Sequence, residues 1–211
     1  MQKKDTKSKE GSLRHYFISK EHSDDEYFNF AMQFKDKNYI FKSCNDVFSK
    51  NQVDYGSLVL VNTILKQDII KVGDTLDMCC GYGPIGMFIA DNTQCNVFMC
   101  DINTTAVLLA RENVKVNKCA RVKDIFESNM FTNVTRNFEH IVSNPPIKTG
   151  KKILLEFVDG AYSHLQDGGD LTLVIKKNLG ADSLKKYINE LFGNCNVLQR
   201  DKGYYILYAT K

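Results

Sequence analysis

Residues 76–86 read Leu-Asp-Met-Cys-Cys-Gly-Tyr-Gly-Pro-Ile-Gly, so Gly81, Gly83 and Gly86 form a Gly-x-Gly-x-x-Gly loop. Glycines at that spacing, between a strand and a helix, let the backbone turn tightly and approach a ligand closely. Alone, the loop suits a dinucleotide as well as S-adenosylmethionine. Asp77 favours the second, because a carboxylate beside the loop attracts a cation with an amino-acid end and repels a pyrophosphate. Pro84 points the same way. It fits the first turn of a helix but removes a backbone N–H that a phosphate would have used. Asp101 ends the next apolar run, 20 residues after Gly81. Its carboxylate can accept two hydrogen bonds from a ribose diol, a group both cofactors carry.

The second constellation is Asn144-Pro145-Pro146-Ile147, which follows the apolar run Glu139–Val142. Two consecutive prolines stiffen the backbone and remove two donors. What remains is a pair of acceptors, the Asn144 side-chain oxygen and the Pro145 carbonyl. Such a pair can take both hydrogens of an –NH2 group and aim its lone pair at an electrophile. An exocyclic amine of a nucleobase is a poor nucleophile, and holding it near-tetrahedral while stabilising developing positive charge lowers the barrier. Ile147 offers an apolar face to the base.

These residues need elements to hold them. Thr75–Cys80, Asn96–Cys100, Arg121–Ile125, Glu139–Val142 and Leu171–Ile175 read as strands. Helices are expected from Pro84, over Thr104–Val116, Ile153–Leu165 and Ala181–Phe192, with a turn at Asp167-Gly168-Gly169. Alternating strands and helices imply a doubly wound, mostly parallel sheet with helices on both faces. Asn196–Gln199 and Tyr204–Ala209, around Asp201-Lys202-Gly203, read as a closing antiparallel hairpin. Upstream, Tyr27–Phe34 and Tyr39–Phe41 flank a polar turn at Lys35-Asp36-Lys37-Asn38, an N-terminal β-hairpin in which Phe28, Phe30 and Phe41 are core. Asp54-Tyr55-Gly56-Ser57 breaks that pattern before a helical run from Leu58. The expected division is a flexible tail over 1–12, a hairpin extension over 13–55 and the main domain over 56–211.

Composition is consistent with one soluble α/β unit. Hydrophobic residues make up 43% of the 211, enough for a core, and the net charge of +3 is compatible with RNA without requiring it. The seven cysteines contain no Cys-x-x-Cys pair and the four histidines have no metal spacing, so reduced thiols, no metal and a cytoplasmic location are expected. No run reaches the roughly 18 apolar residues of a membrane span.

In combination, LDMCCGYGPIG, Asp101 and SNPPI with Lys148 and Gly150-Lys151 resemble the small ribosomal-RNA guanine-N2 methyltransferases, class I enzymes of the 16S type. His15-Tyr16-Phe17, Phe48-Ser49-Lys50, Asp54-Tyr55-Gly56-Ser57 and Lys202-Gly203-Tyr204-Tyr205 are similar too. The resemblance covers roughly residues 15–211. It implies a Rossmann-like seven-stranded sheet, S-adenosylmethionine as donor, a guanine of ribosomal RNA or of the small-subunit particle as acceptor, and a monomer. By position, Asp77, Gly81 and Gly83 would line the methionine end, Asp101 would hold the ribose and Asn129 would lie near the adenine. Cys79, Pro84, Ile102 and Asn144 complete the expected cofactor set; Asn144, Pro145, Pro146 and Ile147 form the expected catalytic set. The family usually has glycine where this chain has Cys79, whose side chain is expected to crowd the methionine and weaken cofactor binding. Three other readings stay open. Adenine-N6 or glutamine-amide methylation uses the same acceptors, with an aromatic residue usual where Ile147 stands. A nicotinamide-dependent oxidoreductase requires NAD in the glycine loop. A non-catalytic RNA-binding relative is motivated by Cys79.

Overall fold

A computed structural model describes residues 27–146 and 150–211. The basic tail, His15-Tyr16-Phe17, Ile147 and Lys148 lie outside the described residues. The elements are β1 (Tyr27–Phe34), β2 (Lys37–Cys44), α1 (Tyr55–Lys66), β3 (Asp74–Met78), α2 (Pro84–Asn92), β4 (Asn96–Asp101), α3 (Thr104–Val116), β5 (Val122–Glu127), β6 (Phe138–Ser143), α4 (Lys151–His164), β7 (Leu165–Lys176), α5 (Ala181–Phe192), β8 (Asn196–Asp201) and β9 (Tyr204–Thr210). A single 3-10 turn, Lys177–Leu179, joins β7 to α5.

Seven strands form one sheet in the order β5-β4-β3-β6-β7-β9-β8. Neighbours from β5 to β7 run parallel, and β9 pairs antiparallel with both β7 and β8. This is the expected doubly wound sheet with a C-terminal hairpin. Period-two strands buried on both faces need helices on both sides. Leu60, Ile64, Phe88, Ile89, Leu109 and Ala110 of α1, α2 and α3 pack on one face together with Phe34, Tyr39 and Phe41 of the N-terminal hairpin. Leu154, Phe157 and Val158 of α4 and Leu184 and Ile188 of α5 pack on the other.

The hairpin is built into that first layer. Phe41 stacks on Phe30 with ring centroids 5.3 Å apart, and Phe34 stacks on Phe88 at 4.1 Å. Asn113 of α3 and Asn117, which caps its C-terminus, exchange hydrogen bonds with the backbone of β2: Asn117 Oδ1 accepts from Ile40 N (2.9 Å) and its Nδ2 donates to Ile40 O (2.7 Å). Asn113 repeats the pattern at Lys42, at 2.7 and 3.0 Å.

Several boundaries shift from expectation, Leu165 among them, which opens β7 instead of closing α4, and four more have a visible cause. Lys37 and Asn38 belong to β2, and the turn narrows to Lys35-Asp36, with Lys35 at φ +51°. Asp54-Tyr55-Gly56-Ser57 begins α1; Asp54 caps it, its side chain accepting from Ser57 N. The strand over Thr75–Cys80 stops at Met78, because Cys79 turns out of the sheet at φ +62°. Asp167-Gly168-Gly169 lies within β7, opposite a register shift in β6 between Phe138 and His140. The C-terminus ties it down, with Gly168 N donating to Lys211 O and Lys211 N to Gly169 O.

Candidate active site at the carboxyl end of the sheet

From β3 the chain winds outward one way through β4 and β5, and the other way through β6 and β7. The carboxyl ends at such a switch point form a crevice. The glycine loop leaves β3, Asp101 ends β4 and Asn144 follows β6. Met78 and Ser143 are register partners in the parallel β3–β6 pair. Ser143 Oγ also donates to Met78 O at 2.6 Å. The glycine loop and the Asn-Pro-Pro segment therefore start side by side.

The loop is held from below. Gly83 at φ +99° turns the chain into α2, where Pro84 takes the first position. A Cβ on Gly83 would lie 2.7 Å from Met99 Cε, and one on Gly86 would lie 2.8 Å from Met99, so both glycines let α2 close over β4. Gly81, at φ +57°, is different: a Cβ there would meet nothing within 4 Å, so the outer side of the loop is open.

Asp77 is fully buried. Its Oδ2 accepts from Gly86 N at 2.8 Å, and its Oδ1 has no partner. Burial pushes its carboxyl up to about 8, with the Asp101 charge adding and the Gly86 N–H opposing. Asp101 Oδ2 accepts from Gly81 N at 2.8 Å and its Oδ1 from Asn103 N at 2.9 Å. Burial raises this carboxyl too, against those backbone donors. Each oxygen keeps a lone pair for a ligand. Ile102 follows half-buried, and Asn129 is exposed just beyond β5. Cys79, half-buried, adopts a left-handed backbone that glycine takes freely and other residues resist. Burial raises its thiol, which lies beside Ser143.

Asn144 is half-buried, Pro145 buried and Pro146 half-buried. Asn144 Nδ2 donates to Asp54 Oδ2 and to Ser57 Oγ, both at 3.0 Å. The amide hydrogens are thus occupied, and Oδ1 is the end left to accept. Asp54 and Ser57 were not among the expected site residues. The capping spacing Asp54-x-x-Ser57 was the available signal, but nothing in one sequence says what else a helix cap faces.

The segment between β2 and α1 crosses the same end of the sheet. Asn103 Nδ2 donates to Asp46 O at 3.3 Å, and the Tyr82 hydroxyl reaches Ser49 O and Gln52 O, each at 3.2 Å. On the other flank, Tyr55 donates to Asp201 at 2.9 Å and lies 5.8 Å from the Tyr204 ring. Lys202 sits over Tyr55 at 4.7 Å and Lys176 over Tyr204 at 5.0 Å.

Chemically, the crevice offers open space above Gly81, an unpartnered carboxylate oxygen beneath the loop, a second carboxylate at β4 and an amide acceptor at β6. That donor set fits a ligand bringing positive charge to the loop and a diol to Asp101. Among the described residues no three His, Cys, Asp or Glu gather as metal ligands, and no helix is long and apolar enough to cross a membrane. None of the seven cysteines forms a disulfide, and six of them are buried.

Residues 38–208 match the model of the methyltransferase small domain. The Bacillus subtilis (strain 168) protein YbxB is 37% identical over 200 residues, covering 93% of this chain and 98% of that protein. Ribosomal RNA small subunit methyltransferase C of Hamiltonella defensa is 32% identical over 180 residues, covering 82% of this chain but 51% of that enzyme. Against such enzymes the chain spans about half their length. Among solved structures, a T. thermophilus 16S rRNA N2 methyltransferase, in complex with AdoMet and guanosine, superimposes with a TM-score of 0.78 at 25% identity, over 88% of this chain and 50% of that one.

Proposed function

The chain belongs to the methyltransferase small domain family, and from that membership we propose that it transfers a methyl group from S-adenosylmethionine to the exocyclic N2 amine of a guanine in 16S ribosomal RNA. The observation that carries this is the pairing of Met78 with Ser143, which sets the glycine loop beside the Asn144 acceptor. Support also comes from the relatives that methylate small-subunit ribosomal RNA and from the T. thermophilus enzyme solved with AdoMet and guanosine.

When bound, the cofactor supplies an electrophilic methyl group on a sulfonium. Gly81 gives the loop room for its methionine end, alongside Gly83 and Pro84. Asp77 would balance the positive charge from beneath, and Asp101 would accept from the ribose. Ile102 and Asn129 would lie on either side of the adenine. Asn144 Oδ1 and the Pro145 carbonyl take the two hydrogens of the target amine and direct its lone pair at the methyl carbon. Both oxygens stabilise positive charge as it develops on nitrogen. The cofactor would supply the methyl group and keep the sulfur electron pair, and the methylated nitrogen would release its proton to water, so no strong base is needed. Pro146 would offer the base an apolar face.

Transfer of labelled methyl to 16S rRNA, with nucleoside mass spectrometry of the product, tests this. N2-methylguanosine is the expected product. Labelling of tRNA, DNA or release factor in its place, or of nothing, overturns the assignment. Asn144→Ala is expected to lower turnover by about 10²–10³-fold, with S-adenosylhomocysteine affinity within about twofold of the natural protein's.

A further inference from the structure

We propose that Asp54 is a positioning residue for the methyl acceptor: it acts through Asn144, locking that side chain so that its oxygen faces the incoming amine. The inference rests on the reading of Asn144 given above. A carboxylate oxygen carries no hydrogen, so the atom of Asn144 that lies 3.0 Å from Asp54 Oδ2 must be the amide nitrogen. The alternative rotamer would press two acceptors together. Ser57 Oγ, also 3.0 Å from that nitrogen, takes the second amide hydrogen. With both hydrogens engaged on one side, Oδ1 is committed to the other.

Asp54 is itself immobilised. The same Oδ2 accepts from Ser57 N at 3.2 Å, and the Asp54 carbonyl accepts from Leu58 N at 3.1 Å, so the carboxylate is part of the first turn of α1. Gly56 makes the turn flush with the C-terminal hairpin: a Cβ there would lie 2.6 Å from the Tyr204 ring and 2.9 Å from Asp54 Oδ2. The Tyr55–Asp201 bond pins the turn to the end of β8. The acceptor after β6 is therefore set by residues far away in sequence, on α1, β8 and β9.

Asp54→Ser tests this, because serine still caps a helix but is too short to reach Asn144. Asp54→Thr, a second short cap, is measured alongside it in case either variant folds poorly, with melting temperature as the check. The expected result is turnover lower on the order of 10²-fold, with unchanged KM for RNA and unchanged S-adenosylhomocysteine affinity. The Asn144 side-chain amide resonances, identified by their loss in Asn144→Ala, should lose their protection from solvent exchange. Asp54→Asn keeps an oxygen that can serve both contacts, and is expected to recover turnover to within about tenfold of the natural protein. Natural turnover and unchanged Asn144 resonances in Asp54→Ser overturn the proposal. So does an Asp54→Asn variant as inactive as Asp54→Ser, which would mean that the charge itself acts on the substrate. If the natural protein methylates no RNA, the functional reading falls; the Asn144 resonances still decide whether Asp54 orients that side chain.

Discussion

Asp77 should make cofactor binding depend steeply on pH. Its carboxyl is pushed up from 3.8 to about 8 by burial, and one oxygen has no partner. A cationic ligand above the loop favours the ionised form, so binding at a pH below 8 must expel a proton. With a value of 8, the ionised fraction rises from about 1% at pH 6 to about 24% at pH 7.5, and affinity should rise roughly 20-fold over that interval. Isothermal titration with S-adenosylmethionine in the absence of RNA measures this directly, and repeating it in buffers of different ionisation enthalpy counts the proton, with about one released near pH 6.5. Asp77→Asn should bind more weakly at pH 7.5 and show little slope. The unliganded protein carries the mirror image. The folded value lies above the unfolded one, so this residue's share of stability is complete below about 3.8 and is lost as pH rises through about 8. Asp77→Asn should lack that part of the decline. A natural protein whose affinity changes by less than about threefold from pH 6 to 7.5 would refute the idea that Asp77 answers the ligand's charge.

Cys79→Gly relieves left-handed strain of about 1–2 kcal/mol but adds about 0.5–1 kcal/mol of unfolded-state entropy and loses thiol contacts. Melting should shift by less than about 4 °C, while S-adenosylhomocysteine binds several-fold tighter; equal or weaker binding would show that the thiol does not crowd the ligand. Burial lowers the His140 value, yet its 2.7 Å bond to Asp170, the Asp170 charge and the Val72 carbonyl outweigh it and leave the ring raised above 6.5. The stability from this pair is thus complete below pH 6.5 and fades as pH rises through the higher folded value; Asp170→Asn should flatten that decline in melting temperature between pH 6 and 9, and an identical pH profile would contradict it. Gly160→Ala on α4 drives a methyl into the Phe131 ring. It should cost about 1–3 kcal/mol of stability, read by urea unfolding, and leave cofactor affinity unchanged.

Much of this architecture was legible because the parallel strands are short apolar runs broken by unmistakable turns. Thr104–Val116 and Ala181–Phe192 match their helices end to end: Asn103 caps the first, and glycines at 180 and 193 bound the second. The glycine loop and the Asn-Pro-Pro segment were readable because glycine and proline restrict the backbone wherever they occur. Side-chain relations across the fold were not readable. Asp54 reads only as part of a break before a helical run until its side chain is seen against Asn144. Cys79 reads as a strand residue until its φ is known, since an apolar residue in an apolar run gives no sign of a left-handed turn. Asp167-Gly168-Gly169 has turn chemistry, but pairing with Lys211 draws it into β7.

The two asparagines at the C-terminal end of α3 have a consequence for how the ribbon can pair. Residues 40 and 42 are about 6.8 Å apart along a strand, while residues 113 and 117 are about 6 Å apart along a helix. The two carboxamides therefore imitate the backbone of a neighbouring strand and fill the ladder positions that β2 turns outward. A two-stranded ribbon with a free rim invites another copy to add its own strand. Here the rim is occupied at residues 40 and 42, and a slip of one residue would leave both amides facing the wrong groups. The helix thus fixes the ribbon's alignment and blocks strand addition at this stretch of β2.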